Sequence, residues 1–173
     1  MEILFEEKGL RVLTRGRDRS PITYKDKGIL LSASDEIPFF YKAGDSLGGM
    51  VIDQEASLKK SIMDAVVLVL EKHRPEEIVC YLGPSLSFSN VIVERRIQEE
   101  LIKNGYQAAC KRTSGVDYVD LPLLNFLYLR ELGIPAENIF LSPYDTFDME
   151  GLYSKKRGDK ESNENVASIV KEK

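Results

Sequence analysis

Apolar positions alternate loosely with polar ones over residues 1–15, where Ile3 and Phe5 are followed by Leu10, Val12 and Leu13. This predicts two short strands joined around Lys8-Gly9. Gly16 to Asp26 is charged, contains Ser20-Pro21 and reads as a loop. Gly28-Ile29-Leu30-Leu31 begins a buried strand, Ser32 to Glu36 interrupts it, and Ile37 to Tyr41 resumes the apolar run. Pro38 cannot donate to a ladder, so this run is expected at an edge, a bulge or a first strand position. Ala43 to Gly49 reads as a turn and Met50 to Ile52 as a short strand. The period then changes. Leu58, Ile62, Ala65, Val66, Val69 and Leu70 recur at helical spacing and predict a helix from about Ala56 to His73, capped by Asp53 and stopped by Pro75.

The chain is organised around Ile78 to Ser89. A continuous apolar run, Ile78 to Leu82, delivers Gly83-Pro84 to a turn followed by Ser85, Ser87, Ser89 and Asn90. Loops carried by rigid strands are where binding groups usually sit, so this stretch is either a pocket wall or a plain strand-to-helix connection. A second helix is expected near Val93 to Asn104, ending on Asn104-Gly105. Gln107 to Lys111 is a strand candidate, and Asp120 is a natural cap for a third helix closed by Gly133. Ile139 to Leu141 and Val166 to Val170 are further strand candidates, with Pro143 to Gly151 irregular. Strands and helices that do not alternate strictly predict an α+β fold, with mixed β-sheets flanked by about three helices in one domain.

Composition narrows the function classes. The 173 residues are 43% apolar and 30% charged, ordinary for a globular protein able to bury a core without disulfides. A formal charge of −4 gives no general attraction to nucleic acid or an anionic membrane, and neither partner is expected. The longest apolar stretch, Ala65 to Leu70, is far too short to span a bilayer, and the acidic N-terminus does not resemble a signal peptide. A cytoplasmic location and a monomer or weak homo-oligomer are therefore expected. Two cysteines, Cys80 and Cys110, and one histidine, His73, cannot supply four nitrogen and sulfur ligands to zinc.

Three stretches, taken in order, resemble the YfiH-like laccase-domain family, also called the polyphenol oxidase or peptidoglycan-editing-factor family. Ile29 to Tyr41 is similar to V-L-T-A-D-C-V-P-V-L-L, with Asp35, Glu36 and Pro38 on its aspartate, cysteine and proline. Leu82-Gly83-Pro84 resembles the I-G-P that opens a second family loop. Val119-Asp120-Leu121, Gly133-Ile134 and Glu137-Asn138-Ile139 resemble L-D-L, G-V and E-N-I, and Leu152 to Arg157 stands where F-F-S-Y-R-R would be.

The resemblance implies a YfiH-like fold and a zinc or copper site made of two histidines and a cysteine. Here the cysteine position is Glu36, a histidine position falls on Ile52 or Asp53, and the Cys-Cys of the second loop lands on Ser89-Asn90. The stretch of about sixty residues that would bring the family's remaining histidine is missing, since Leu10 to Pro21 resembles the family's start and Gly28 re-enters well downstream. No metal or other cofactor is expected. Carboxylates in the former metal pocket would suit Mg2+ or Mn2+ rather than copper or zinc. The candidate catalytic residues are Glu36 and Asp53, and the candidate ligand-pocket residues are Asp35, Gly83, Pro84, Ser85, Ser89 and Asn90.

Two functions follow from the resemblance. One is a small-molecule, nucleoside-like binding or regulatory protein that lacks the family's metal chemistry. The other is a divergent purine-nucleoside or phenol-processing enzyme in which Glu36 or Asp53 is the general acid/base. Gly44-Asp45-Ser46-Leu47 also spells a lipase-like serine motif, which is set aside because the only histidine, His73, is expected at the far end of the first helix. Lys155-Lys156-Arg157, with acidic neighbours, reads as a solvated loop rather than a phosphate patch.

Overall fold

The computed structural model describes residues 1–16, 29–87, 90–160 and 164–169. Its strands are β1 (Glu2–Glu7), β2 (Leu10–Arg15), β3 (Leu30–Ala33), β4 (Ile37–Ala43), β5 (Ser46–Ile52), β6 (Ile78–Leu82), β7 (Cys110–Thr113), β8 (Val116–Val119), β9 (Ile139–Leu141) and β10 (Asn165–Ile169). Its helices are α1 (Gln54–Leu58), α2 (Ser61–Leu70), α3 (Arg95–Lys103) and α4 (Leu121–Glu131). One sheet has the order β1-β2-β10-β3 and is antiparallel throughout. The other has the order β5-β4-β6-β9, with only β6 and β9 parallel, and β7 and β8 form a separate hairpin. The architecture is α+β.

The uninterrupted apolar run of β6 is explained by its central place between two cores. Val79 and Tyr81 pack with Phe40 against Leu10, Val12, Ala167 and Ile169 of the first sheet. Phe5 stacks on Tyr81 at 3.9 Å between ring centroids. Ile78, Cys80 and Leu82 point the other way, into a larger core with Ile37, Phe39 and Ile52 of the sheet and Ile62, Val66, Leu124, Tyr128 and Leu129 of the helices. Successive side chains of a strand face opposite ways, so a strand with a core on both sides has no polar face.

Several boundaries depart from the sequence reading, each for a local reason. The helix expected over Ala56 to His73 is two helices. Lys60 adopts a left-handed backbone (φ 59°) between them, and its ammonium docks on Tyr106 Oη at 2.8 Å, 4.9 Å from that ring's centroid. The turn expected over Ala43 to Gly49 is only Gly44-Asp45, and Gly48 and Gly49 belong to β5. Tyr41 of β4 pairs with Gly48 and covers the missing side chain. Pro38 lies in a central strand, one place beyond the last β4–β6 pair, Phe39–Leu82. There its carbonyl accepts from Gly83 N at 2.9 Å. Gln107–Ala109 is a 3-10 turn, so the strand begins only at Cys110. The caps expected at Asp53 and Asp120 are present, accepting from Ala56 N at 2.7 Å and Leu123 N at 2.9 Å. Among the described residues, no helix is long and apolar enough to cross a membrane.

Candidate functional site

The loop before β4 and the chain entering α1 come together because Ile37 and Ile52 are the terminal pair of the β4–β5 ladder. This places Asp35 and Glu36 on one side of a cavity of about 220 Å³ and Asp53 and Gln54 on the other. Ile37, Ile52, Leu86, Val91 and Leu121 supply its apolar walls, and Lys155 reaches in from the C-terminal loop. The two candidate catalytic acids, Glu36 and Asp53, therefore line a single small cavity together with Asp35.

Each carboxylate is already engaged. Glu36 Oε2 accepts from the backbone N–H of Ser34 at 2.9 Å and of Asp35 at 3.2 Å, while Oε1 faces Lys155 Nζ at 3.3 Å. Burial alone pushes this carboxyl up, but hydrogen bonds from the backbone and the Lys155 charge outweigh it and hold the group below its ordinary value. Asp35 Oδ1 accepts from Thr146 Oγ1 and its Oδ2 from Lys156 N, both at 2.8 Å. Asp53 Oδ1 holds the first turn of α1. The pocket carries a fixed negative rim on an apolar body.

The second candidate loop supports this cavity from outside it. Gly83 packs against Pro38, where an added Cβ would stand 2.8 Å from Pro38 Cγ. Pro84 is buried, and Ser85 bridges to Asp145 in parallel register while its carbonyl accepts from Thr146 N at 3.0 Å. Asn90 Nδ2 donates to Asp145 Oδ2 at 3.0 Å, and Lys156 Nζ donates to the Asn90 carbonyl. None of Gly83, Pro84, Ser85 and Asn90 lines the acid cavity; Leu86 and Val91 do so instead. Ser89 lies outside the described residues.

The residues that sequence reasoning missed are those of the C-terminal loop. Asp145 gathers Ser87 N (2.8 Å), Asn90 Nδ2 and Phe147 N (2.6 Å). Burial raises the Asp145 carboxyl, and these donors bring it below its ordinary value. Arg157 donates through Nη1 to the carbonyls of Thr146, Phe147 and Met149 and through Nη2 to Leu152 and the Asp159 carboxylate. The Lys155-Lys156-Arg157 run is thus spent on internal partners, Glu36, Asn90 and the loop carbonyls, rather than simply solvated. The only sequence signal for this was its position on the family's F-F-S-Y-R-R segment; Asp145 and Thr146 carried none.

The residues lining the cavity do not suit the copper or zinc that the resemblance implies. No histidine or cysteine is among them, and copper favours nitrogen and sulfur donors. Cys80 is buried in the helical core, where desolvation drives its thiol pKa up, and His73 lines a different cavity. Oxygen-loving cations fare little better, since the Lys155 ammonium already places a positive charge beside the Glu36 carboxylate. Among the described residues, no group of three or more His, Cys, Asp or Glu side chains could hold a metal ion.

Comparison with known proteins agrees with this architecture. YfiH of Bacillus licheniformis superposes with a TM-score of 0.69 at 17% identity, covering 84% of this chain and 58% of that one. YlmD of Geobacillus stearothermophilus gives 0.72 at 22% identity, covering 83% and 57%. At these identities the likeness is one of fold, and the chain spans under three fifths of the length of either structure. No curated protein matches. The family model described as multi-copper polyphenol oxidoreductase laccase matches residues 55–172, well over half of the sequence, and the chain belongs to that family.

Proposed function

We propose that this member of the laccase family is a metal-independent binding or regulatory protein whose acid-rimmed cavity takes a nucleoside-like small molecule. The observation that carries the reading is the state of Glu36. It stands where the resemblance would put the family's cysteine, and it is held ionised by Ser34 N, Asp35 N and Lys155. A general acid/base working near neutrality needs a carboxyl pKa raised toward that pH, and this one is displaced the other way. A fixed carboxylate is instead an acceptor for a ligand N–H, at the second lone pair of Oε1 beside the Lys155 contact. Leu86, Val91 and Leu121 offer apolar surface for the faces of a flat ring. At about 220 Å³ the cavity is smaller than the ~300–1,000 Å³ of typical drug-sized ligand sites, so it admits a base while leaving a sugar at the mouth.

The test is a thermal-shift screen of chelator-treated protein with adenosine, inosine and guanosine. A ligand at a hundred times its Kd stabilises by about 2.7 kcal/mol, which for a chain of this size raises Tm by about 5–10 °C. The reading predicts such a shift, lost in Leu86→Trp and reduced in Glu36→Gln. Turnover of a nucleoside that Glu36→Gln abolishes would favour the enzymatic alternative, and a response only after copper is added would contradict the reading.

A further inference from the structure

We propose that a second, larger cavity at the opposite end of the β4–β5 hairpin binds an amphipathic carboxylate, with an apolar body the size of a medium-chain fatty acid and its acid group at Lys72. The cavity measures about 600 Å³, within the range of sites that enclose small molecules, and lies between the sheet and α2. Its floor is Phe39, Tyr41 and Met50. Its roof is a single helical stripe, since Ala65, Leu68, Val69 and Lys72 follow at the i, i+3, i+4, i+7 spacing of one face.

Two small residues keep the space open. A Cβ on Gly48 would stand 2.1 Å from Tyr41 Cζ, so only glycine lets the ring lie flat on the sheet instead of standing into the cavity. Ala65 leaves the facing helix equally short. Leu68 is 64% exposed at the rim, although its neighbours on the stripe face an apolar concavity.

Charge fixes the kind of occupant. The end of α2 returns beside the β4–β5 turn, where a Cβ on Gly44 would lie 3.4 Å from His73 Cε1. Lys72 and His73, with Ser46, thus sit at one end of a lining that is otherwise apolar. His73 has Glu77 as an electrostatic neighbour, whereas the Lys72 ammonium makes no ion pair or side-chain hydrogen bond among the described residues. An unpaired ammonium at the edge of an apolar space complements an anion with an apolar tail. Ser46, of the Gly44-Asp45-Ser46-Leu47 motif, also lines this cavity, but no hydrogen bond joins it to His73, so the site is one for binding.

The site is separate from the acid-rimmed cavity, and the two are tested independently. Decanoate and its neutral counterpart decanol are titrated into the full chain and into Lys72→Glu and Ala65→Trp, with binding followed by calorimetry. The expected result is saturable decanoate binding, weakened at least tenfold in Lys72→Glu while decanol is unaffected. Ala65→Trp, folded by circular dichroism, loses both ligands but keeps the nucleoside response of the wild type. Absence of saturable decanoate binding, or equal decanoate affinity in wild type and Lys72→Glu, overturns the proposal. So does a concentration-dependent dimer that Ala65→Trp dissociates and decanoate does not compete with, which would identify a second copy as the occupant. Should Ala65→Trp fail to fold, Lys72→Glu, altering an exposed side chain, decides alone.

Discussion

Lys155 Nζ stands 3.3 Å from Glu36 Oε1, joining positions 119 residues apart and closing the acid cavity from its C-terminal side. Because the Glu36 carboxyl lies below its ordinary value of 4.5 in the folded chain, its stabilising effect is complete above that pH. It is lost as pH falls through the lower folded value. Glu36→Gln should therefore be less stable than the wild type at pH 7, with the difference narrowing as pH falls below 4.5. Urea denaturation at pH 7, 5 and 3.5 measures this directly.

Asn165 acts as a side-chain rung between the last strand and the C-terminal loop. Its Oδ1 accepts from Tyr153 N at 2.8 Å, and its Nδ2 donates to the Tyr153 carbonyl at 2.9 Å and to the Ser34 carbonyl at 3.3 Å. Asn165→Ala leaves a peptide group without its partner in a site only 5% exposed, at a cost of about 2–3 kcal/mol. Asn165→Asp should not rescue it, since an ionised carboxylate cannot donate to the two carbonyls. Denaturant midpoints of the two variants check both statements.

Arg157 holds the loop that carries Lys155 and Lys156. Four backbone carbonyls and Asp159 receive its guanidinium, a fork that lysine cannot reproduce. Arg157→Lys is expected to cost about 2–4 kcal/mol and to make the loop around residues 146–157 susceptible to limited proteolysis. The Glu36–Lys155 pair weakens with it, so nucleoside binding falls in the same variant.

Two glycines predict opposite outcomes for the same substitution. Gly83→Ala drives a Cβ to 2.8 Å from Pro38 Cγ and 3.3 Å from its carbonyl oxygen, where β4 cannot retreat, and should cost about 1–3 kcal/mol. Gly48→Ala meets only the half-buried Tyr41 ring, which can swing away, so stability changes little. Decanoate binding falls in Gly48→Ala because the displaced ring enters the apolar cavity. Parallel urea curves and calorimetry on the two variants separate the effects.

What the sequence carried legibly was whatever depends on one period or one cap. The run Ile78 to Leu82, the cap at Asp120 and the hairpin around Lys8-Gly9 announce themselves because a single element decides them. The break at Lys60 was hidden because a left-handed lysine has no local signature; its cause is Tyr106, 46 residues away. The same holds for the glycines of β5, which read as a turn until Tyr41 is placed over Gly48. At the site, Asp35, Glu36 and Asp53 were found through family resemblance. Their engagement by Lys155, Thr146 and Lys156 was not, since those contacts depend on how a loop more than a hundred residues later folds back. His73 was read as the remote end of a helix, and only the packing of α2 on the sheet shows that it reaches the Gly44-Asp45 turn that precedes Ser46.

The central claim is that a fixed carboxylate at position 36, without a metal, holds a nucleoside-like ligand. It is tested most directly by titrating adenosine, inosine and guanosine calorimetrically into protein whose metal content has been reduced by chelation and verified by elemental analysis. The account predicts saturable one-site binding of at least one nucleoside, unchanged by added Cu2+ and weakened about tenfold or more in Glu36→Gln. Binding that requires added copper, or metal-free protein that binds none of the three, would contradict it.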